Sequence, residues 1–286
     1  MSCLVTVGIA FFNAEKYLDY AILSVINQSV DNWKLILMND GSTDRSLEIA
    51  KQYTSCSNVI LIDDSKQKGL SIRLNQIADL ADTPYLARMD ADDIMHPKRL
   101  EKQLIFLHEN PEIDLVGTKI ISIDNQNIPY GIRGSLEIPK SRKEALKRSV
   151  FNHPTVLGKT RWFLENRYRD DYWRLEDYDL WYRTVESSNF AVLDESLLYY
   201  REVNIPYLRK YLQSSRSMRR FFREKREAIG SKLMIRMIFV SLIKDTIYLL
   251  FNIFGREQYL VKRRSECLPA SEIEEHLSII NSVVKR

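Results

Sequence analysis

Residues 85–93 read Tyr85-Leu86-Ala87-Arg88-Met89-Asp90-Ala91-Asp92-Asp93, an apolar run that ends in a cluster of carboxylates. An earlier stretch has the same form: Leu35-Ile36-Leu37-Met38-Asn39-Asp40-Gly41-Ser42-Thr43-Asp44. Short apolar runs bounded by turn residues predict buried strands. In a parallel α/β sheet, ligands bind beyond the carboxyl ends of the strands, so acids at two such ends converge on one crevice. Hard oxygen ligands placed there suit a divalent cation bridging a phosphate-bearing substrate. A third acidic pair, Glu176-Asp177, lies downstream and can supply a base.

Outward from these runs, strand and helix signals alternate. Leu4 to Phe12 is apolar and rich in β-branched residues; Asn13 then caps a segment in which Tyr17, Leu18, Ala21, Ile22, Val25 and Ile26 recur at helical spacing. Lys34 to Met38 is the next strand, Asp44 or Ser42 caps a helix carrying Leu47 and Ala50, Val59 to Ile62 is a third strand, and Leu70 to Leu80 a helix. Tyr85 to Met89 closes the series, and Pro97 opens a helix through Leu107 with Lys98, Arg99 and Lys102 on its solvated side. This alternation predicts an α/β fold: a Rossmann-like, mostly parallel central sheet with helices on both faces, reached by right-handed crossovers. Beyond Asn110 the pattern loosens. Leu115 to Ile123 reads as a strand, Ser141 and Glu144 as a capping box, and Val156-Leu157 as part of a short apolar run. Trp162, Tyr168, Tyr172, Trp173, Tyr178, Trp181 and Tyr182 crowd around Glu176-Asp177; such rings form either the floor of a sugar site or ordinary core.

The 286 residues are 45% hydrophobic and 28% charged, an ordinary globular composition with room for a full core. Cys3, Cys56 and Cys267 follow no metal or disulfide spacing, and the chain starts directly on an apolar strand pattern; both features favour a reducing, cytoplasmic compartment. No GxxxxGK[ST] or GxGxxG occurs, which disfavours NTPase and dinucleotide readings. The net charge of +4 hides a split, because Arg201 to Arg264 holds about sixteen Lys/Arg against about five Asp/Glu and leaves the remainder acidic. An acidic crevice suits metal-loaded catalysis; a basic tail interrupted by apolar residues suits an anionic surface.

Asp90 and Asp92, two apart just beyond a strand, fall on one side of an extended segment, so one reaches a metal and the other a sugar hydroxyl. Alone, Asp-x-Asp is as readily a solvated turn; its place after a buried strand, paired with Asp40, gives it weight. Asp44 caps its turn, and Asp40, outside the cap, is the freer ligand. His153, before Pro154, either reaches the metal or a donor phosphate or packs against its loop; His96 and His108 read as surface residues.

Five blocks in order carry a family resemblance: Val5 to Leu18 (VTVGIAFFNAEKYL), Asn39 to Asp44 (NDGSTD), Gly69 to Asn75 (GLSIRLN), Ala87 to Asp93 (ARMDADD) with Pro97-Lys98-Arg99-Leu100, and Glu176 to Arg183 (EDYDLWYR). Together, over roughly residues 3–205, they resemble family 2 glycosyltransferases of the GT-A fold. The resemblance implies an inverting transfer of a sugar from a nucleotide diphosphate donor, usually a UDP-sugar, to an acceptor hydroxyl. It implies Asp40 as the acid that hydrogen-bonds the uracil ring, with the backbone around Ala10, Phe12 and Asn13 lining the nucleoside pocket. It further implies Asp90 beside the ribose and donor sugar, Asp92 with Asp90 as ligands of Mg2+ or Mn2+, and Arg73 as a donor-contacting residue. Asp177, in the Glu176-Asp177 pair, matches the catalytic base, with His153 and Trp181 as further candidates. Family members usually carry proline where Ala10 stands, so the nucleotide loop lacks that constraint. On this resemblance residues 1–205 form the catalytic domain, a nucleotide-sugar part over about 1–110 and an acceptor part over about 111–205, followed by a helical appendage over 206–286.

That appendage has its own signature. Leu208 to Arg226 is strongly basic with Tyr211, Leu212, Met218, Phe221 and Phe222 interleaved, and Leu233 to Phe254 is largely apolar yet holds Arg236, Lys244 and Asp245. At ~2.5 to 3.5 kcal/mol per central charge, three charges favour an interfacial amphipathic helix pair over a spanning helix, and each Lys/Arg adds ~1 kcal/mol near anionic headgroups. With the resemblance, this implies peripheral attachment to the inner face of the plasma membrane and a glycan or lipid-linked acceptor in bacterial surface-polysaccharide synthesis. A helical pair packed on the catalytic domain or forming a dimer is the alternative, and the oligomeric state is open. Two other classes stay in view: a metal-dependent nucleotidyltransferase or phosphohydrolase using the same carboxylates, and a nucleic-acid-binding module, for which no RNA-binding signature is present.

Overall fold

The computed structural model describes residues 4–202 and 207–285. Cys3 and the boundary expected at residues 205/206 lie outside the described residues. In chain order the elements are β1 (Val5–Phe11), α1 (Leu18–Ile26), β2 (Trp33–Asn39), α2 (Ser46–Lys51), β3 (Val59–Asp63), α3 (Leu70–Leu80), β4 (Tyr85–Asp90), β5 (Ile94–Met95), α4 (Arg99–Glu109), β6 (Leu115–Ile123) and β7 (Pro129–Arg133). They continue with α5 (Arg142–Ala145), β8 (Leu157–Lys159), α6 (Thr160–Glu165), α7 (Glu176–Thr184), β9 (Phe190–Arg201), α8 (Tyr207–Glu224), α9 (Arg226–Ile229), α10 (Ser231–Ile253), α11 (Glu257–Lys262), β10 (Glu266–Cys267) and α12 (Ala270–Val283).

The first four long strands pair in parallel in the order β3-β2-β1-β4, as the alternation predicts. Both faces are covered, which is why these strands read as nearly continuous apolar runs. Val5, Val7, Ile9 and Phe11 pack with Leu18, Ile22 and Val25 of α1. Ile36 and Met38 pack on the other side with Leu74 and Ile77 of α3. Where α3 crosses β1 stands Gly8, at which a Cβ would lie 2.4 Å from Ile77 Cγ2, so the missing side chain sets how closely helix and sheet approach.

Past β4 the sheet becomes mixed. β8 pairs antiparallel with both β4 and β6, β7 with β6, and β10 with β7. The long β9 runs parallel to β6 and antiparallel to β5. Arg99, expected on the solvated side of α4, is instead wholly buried: its guanidinium donates to Gln103 Oε1 at 2.9 Å and to the Arg88 carbonyl at 3.0 Å. His96 is likewise drawn inward and stacks on Tyr199 at 6.3 Å, where burial lowers its pKa to about 4. His108 is exposed.

The C-terminal region packs on the rest of the molecule through β10, paired with β7, and through two of its helices. α12 seals one flank of the sheet, with Ile280 and Val283 clustered with Ile121, Ile123 and Tyr199. α8 docks on α7 through Phe221, which is fully buried against Tyr172, Tyr178 and Tyr182. α10 packs on α8 around an ion pair between Arg219 and Asp245 at 2.6 Å, joined by Ser215 and Ser241. None of the α10 residues is buried. Among the described residues no helix is long and apolar enough to cross a membrane. Cys56 and Cys267 are free thiols.

Candidate active site

β4 ends at Asp90, and the chain turns at Ala91 and Asp92 before β5. That turn breaks the alternation of an extended strand, so three carboxylates converge instead of two: one oxygen each from Asp90, Asp92 and Asp93 lies within 4.8 Å of the others. Asp93 is wholly buried, its Oδ1 accepting the Arg201 N–H at 3.0 Å while Oδ2 has no hydrogen-bond partner among the described residues. Arg201, at the end of β9, also pins the turn by donating from Nε to the Asp92 carbonyl at 2.9 Å, with its guanidinium 3.9 Å from the Tyr17 ring centre. Burial and then the charge of Asp90 push Asp92 up to about 6; burial, then Asp92, holds Asp93 well above the carboxylate range. Crowded oxygens that retain protons are what a hard divalent cation displaces, and the orphaned Asp93 Oδ2 gives the set a third anionic donor, so Mg2+ or Mn2+ fits these residues.

Beside this cluster opens a cavity of about 800 Å³ whose wall includes Arg88, Asp90, His153, Trp173, Glu176 and Asp177. Glu176 and Asp177 form the first turn of α7, and Asp177 Oδ1 accepts the Tyr178 N–H at 2.7 Å. Burial and then the charge of Asp177 push Glu176 up to about 7. Burial likewise raises Asp177, and the Asp90 charge adds to the effect, so the acids of β4 and α7 sense each other across one space. Arg88 supports Asp90 from within the sheet: Nη2 bonds the Asp90 carboxylate, while Nε and Nη1 are buried without partners among the described residues. His153 is buried with Nε2 2.8 Å from the Tyr168 hydroxyl, and burial together with Arg88 holds it well below the usual histidine value. It therefore meets the cavity as a neutral ring tied to Tyr168, not as a cation for a phosphate.

Ala10, near the end of β1, lies in register between Met38 and Asp90. Phe12 is 44% exposed and Asn13 adopts φ 48°, and from there the chain is stitched to the loop after β2. Asn13 Oδ1 accepts the Thr43 N–H at 2.8 Å, Ser42 Oγ accepts the Asn13 N–H at 3.1 Å, and Asp44 accepts N–H groups of Glu15 and Ser46 at 3.0 Å. Asp44 thus holds the turn just ahead of α2, whose N-cap position is Arg45 and has no side-chain cap. Asp40 is buried: Oδ1 accepts from Lys68 N at 2.7 Å and Arg73 Nε at 2.8 Å, and Oδ2 from Gly69 N at 3.1 Å. Its Oδ2 retains capacity for one further donor.

Two expected contacts are corrected by the packing. Arg73 does not face the cavity: it is fully buried, and its guanidinium is occupied by Asp40, by Asp64 at 2.7 Å, by Gln76 at 2.9 Å and by the Lys66 carbonyl. It positions Asp40 and the loop before α3. Trp181 is 2% exposed and sits among Phe151, Trp162 and Phe190 as core. Trp162, Tyr168, Tyr172 and Tyr182 are buried as well, whereas Trp173 is 66% exposed at the cavity wall. Sequence reasoning missed Asp93, Arg88 and Arg201. The first was signalled by the third acid of the run; nothing local distinguishes the two arginines.

A parallel sheet with a carboxylate-bearing cleft beyond its carboxyl edge, completed by a mixed second half, is the GT-A glycosyltransferase fold. The chain belongs to Glycosyl transferase family 2, whose profile matches residues 6–173. It is 34% identical over 214 residues to the glycosyltransferase EpsE of Bacillus subtilis, covering 72% of this chain and 76% of that one. It is 33% identical over 235 residues to the O-antigen biosynthesis glycosyltransferase WbnJ of Escherichia coli, covering 78% and 90%. Among solved structures it is similar to S. aureus TarS 1-349 in complex with UDP-GlcNAc, with TM-score 0.58, 17% identity and coverage of 84% and 71%. It is also similar to the mannosyltransferase PcManGT from Pyrobaculum calidifontis in complex with GDP-Man and Mn2+, with TM-score 0.62, 12% identity and coverage of 99% and 87%. At these identities the two structures speak to fold alone.

Proposed function

We propose that the protein transfers a sugar with inversion from a UDP-sugar to a hydroxyl of a lipid-linked glycan during surface-polysaccharide assembly. The observation that carries this reading is the single cavity of about 800 Å³ onto which both Asp177 and the Asp90 end of the three-carboxylate cluster open. The O-antigen role in the name of WbnJ supports the acceptor class, and the family resemblance, with Asp40 directed at uracil, is what favours UDP as the carrier of the donor sugar.

In this mechanism the spare capacity of Asp40 Oδ2 accepts the ring N–H of uracil, and the stitched loops at residues 12–15 and 42–46 flank the nucleoside. Asp90, Asp92 and Asp93 would hold Mg2+ or Mn2+, which when bound offsets charge on the departing diphosphate. Burial raises both acids of this pair, Glu176 to about 7, so the two titrate as one unit and Asp177 acts as base in its ionised form. Asp177 takes the acceptor hydroxyl's proton as that oxygen attacks the anomeric carbon, and the bond from that carbon to the diphosphate oxygen breaks with its electrons leaving on the diphosphate. One base and one displacement give inversion. α10 supports peripheral seating on the inner leaflet of the plasma membrane: Phe239, Ile253 and, just past the helix end, Phe254 are 63%, 68% and 73% exposed, and the helix also carries Lys232, Arg236 and Lys244.

The test is release of UDP from a panel of UDP-sugars by the purified chain with Mn2+ and a lipid-linked glycan, with the product's anomeric configuration read by NMR. Release of pyrophosphate or inorganic phosphate would move the assignment to nucleotidyl transfer or phosphohydrolysis.

A further inference from the structure

A second groove, of about 640 Å³, opens between the catalytic core and the α8–α10 pair. Its floor is apolar, built from Met218 and Phe222 of α8 and Leu233, Met237 and Val240 of α10. Its rim is cationic. Lys147, Arg236 and Lys244 all line it and are all exposed, and among the described residues none of the three is in an ion pair. Arg148 and Ser149 line this groove and the catalytic cavity alike, so the two spaces are neighbours across one short stretch of chain.

We propose that this groove seats the lipid end of the acceptor, a long-chain isoprenoid phosphate or diphosphate. Its first hydrocarbon units lie on the methionine, phenylalanine and aliphatic floor. Its phosphate is held by Lys147, Arg236 and Lys244, and its sugar end passes over Arg148 and Ser149 to Asp177. The inference rests on the reading of the protein as a glycosyltransferase with a lipid-linked acceptor, and it adds where and by what chemistry that lipid is held. An uncharged hydrocarbon would leave three unpaired cations unused, and a free phosphate would leave the apolar floor bare. An amphiphile with one anionic end satisfies both. The outward face of α10, with Phe239, Leu242, Ile243, Leu250 and Ile253 exposed, continues the apolar surface from the groove toward a membrane from which such a lipid can be drawn.

The probe is farnesyl diphosphate titrated into the full chain, with farnesol and inorganic pyrophosphate as its separate halves and UDP with Mn2+ as the control for the donor site. Farnesyl diphosphate is expected to bind more tightly than either half by about tenfold, and Lys147→Gln with Arg236→Gln and Lys244→Gln to weaken it by about tenfold while UDP binding is unchanged. A photoreactive farnesyl diphosphate on the unaltered chain is expected to label the segment from Leu233 to Lys244, a readout that does not depend on a variant folding. Farnesol binding as tightly would leave only a greasy patch, pyrophosphate binding as tightly would leave only an anion site, and labelling outside the groove would place the lipid elsewhere; each overturns the proposal. Self-association abolished by the same substitutions, without an effect on farnesyl diphosphate, would assign the groove to a second copy of the chain and overturn it too. If farnesyl diphosphate fails to bind while UDP and Mn2+ bind, the groove is refuted and the glycosyltransferase reading stands; if UDP fails to bind the unaltered chain, the donor reading itself falls.

Discussion

Replacing Asp177 by Asn keeps the outline of the side chain and an oxygen able to accept the Tyr178 N–H, now at 2.7 Å, but removes the proton acceptor. General-base assistance supplies ~10²- to 10⁴-fold, or about 3 to 5 kcal/mol of barrier, so kcat is expected to fall within that range. Asp90, Asp92 and Asp93 are untouched by the change, and the affinity for UDP with Mn2+ should stay at its parental value, a split that separates a missing base from a damaged fold. A second readout is specific to this pair. After burial, the charge of Asp177 is the largest influence lifting Glu176 to about 7; without it Glu176 should ionise at lower pH, visible as a downward shift of its carboxyl titration by NMR. The assay is UDP release at saturating donor, beside calorimetric titration of UDP with Mn2+. A kcat within about threefold of the parent would refute Asp177 as the base, and an unmoved Glu176 titration would refute the coupling between the two acids.

Asp92→Asn is expected to abolish the Mn2+-dependent part of UDP affinity, and equal UDP affinities with and without Mn2+ in the parent would refute the metal assignment. Because the metal needs ionised carboxylates, and burial lifts Asp92 to about 6 and Asp93 well above the carboxylate range, Mn2+ affinity should fall as pH drops through about 6; a flat profile there would remove Asp92 from the site. Arg73→Met should lower stability by about 3 kcal/mol, measured by urea unfolding, because it strands the buried Asp40 carboxylate without its cation; a loss under about 1 kcal/mol would show the pair to be dispensable. In flotation, the full chain should rise with anionic vesicles and not with neutral ones, and Phe239→Glu with Phe254→Glu should abolish that; indifference to both lipid charge and substitution would detach α10 from any membrane role.

The first half of the fold was legible because its signals are local. Leu70 to Leu80 and Leu115 to Ile123 are found as the periodicity predicts them, and the expected strand from Leu4 to Phe12 is observed as Val5–Phe11. β8, β9 and β10 were not read as such, since the strands of the mixed half are defined by partners far away in sequence, such as Leu157 beside Val116 or Glu266 beside Ile132. The site divided the same way. Acids at strand ends announce themselves, but a strict two-residue alternation excluded Asp93, and only the turn at Ala91 and Asp92 returns it to the cluster. Arginines misled most: Arg73 read as a donor contact and Arg99 as surface charge, and both are wholly buried, because where a guanidinium ends up depends on acceptors such as Asp40 or the Arg88 carbonyl that the linear order does not place beside it.

The aromatic window shows why a residue can matter to a site without touching it. Trp181 stands one helical turn beyond Asp177 on α7, and Leu180 beside it is fully buried. With Phe151, Trp162 and Phe190, these side chains wedge α7 into the core, and its first turn is thereby held at the cavity. On the facing side, β4 is hydrogen-bonded to β1 along one edge and β8 along the other, so Asp90 leaves the sheet from an interior strand, with Arg88 beneath it and Arg201 clamping the turn that follows. Neither acid group is carried on a free loop end. The spacing between Asp177 and the Asp90 cluster is therefore a property of two packed supports, and on the proposed roles of these acids a displacement of a few tenths of an ångström in either would be felt in turnover rather than in binding.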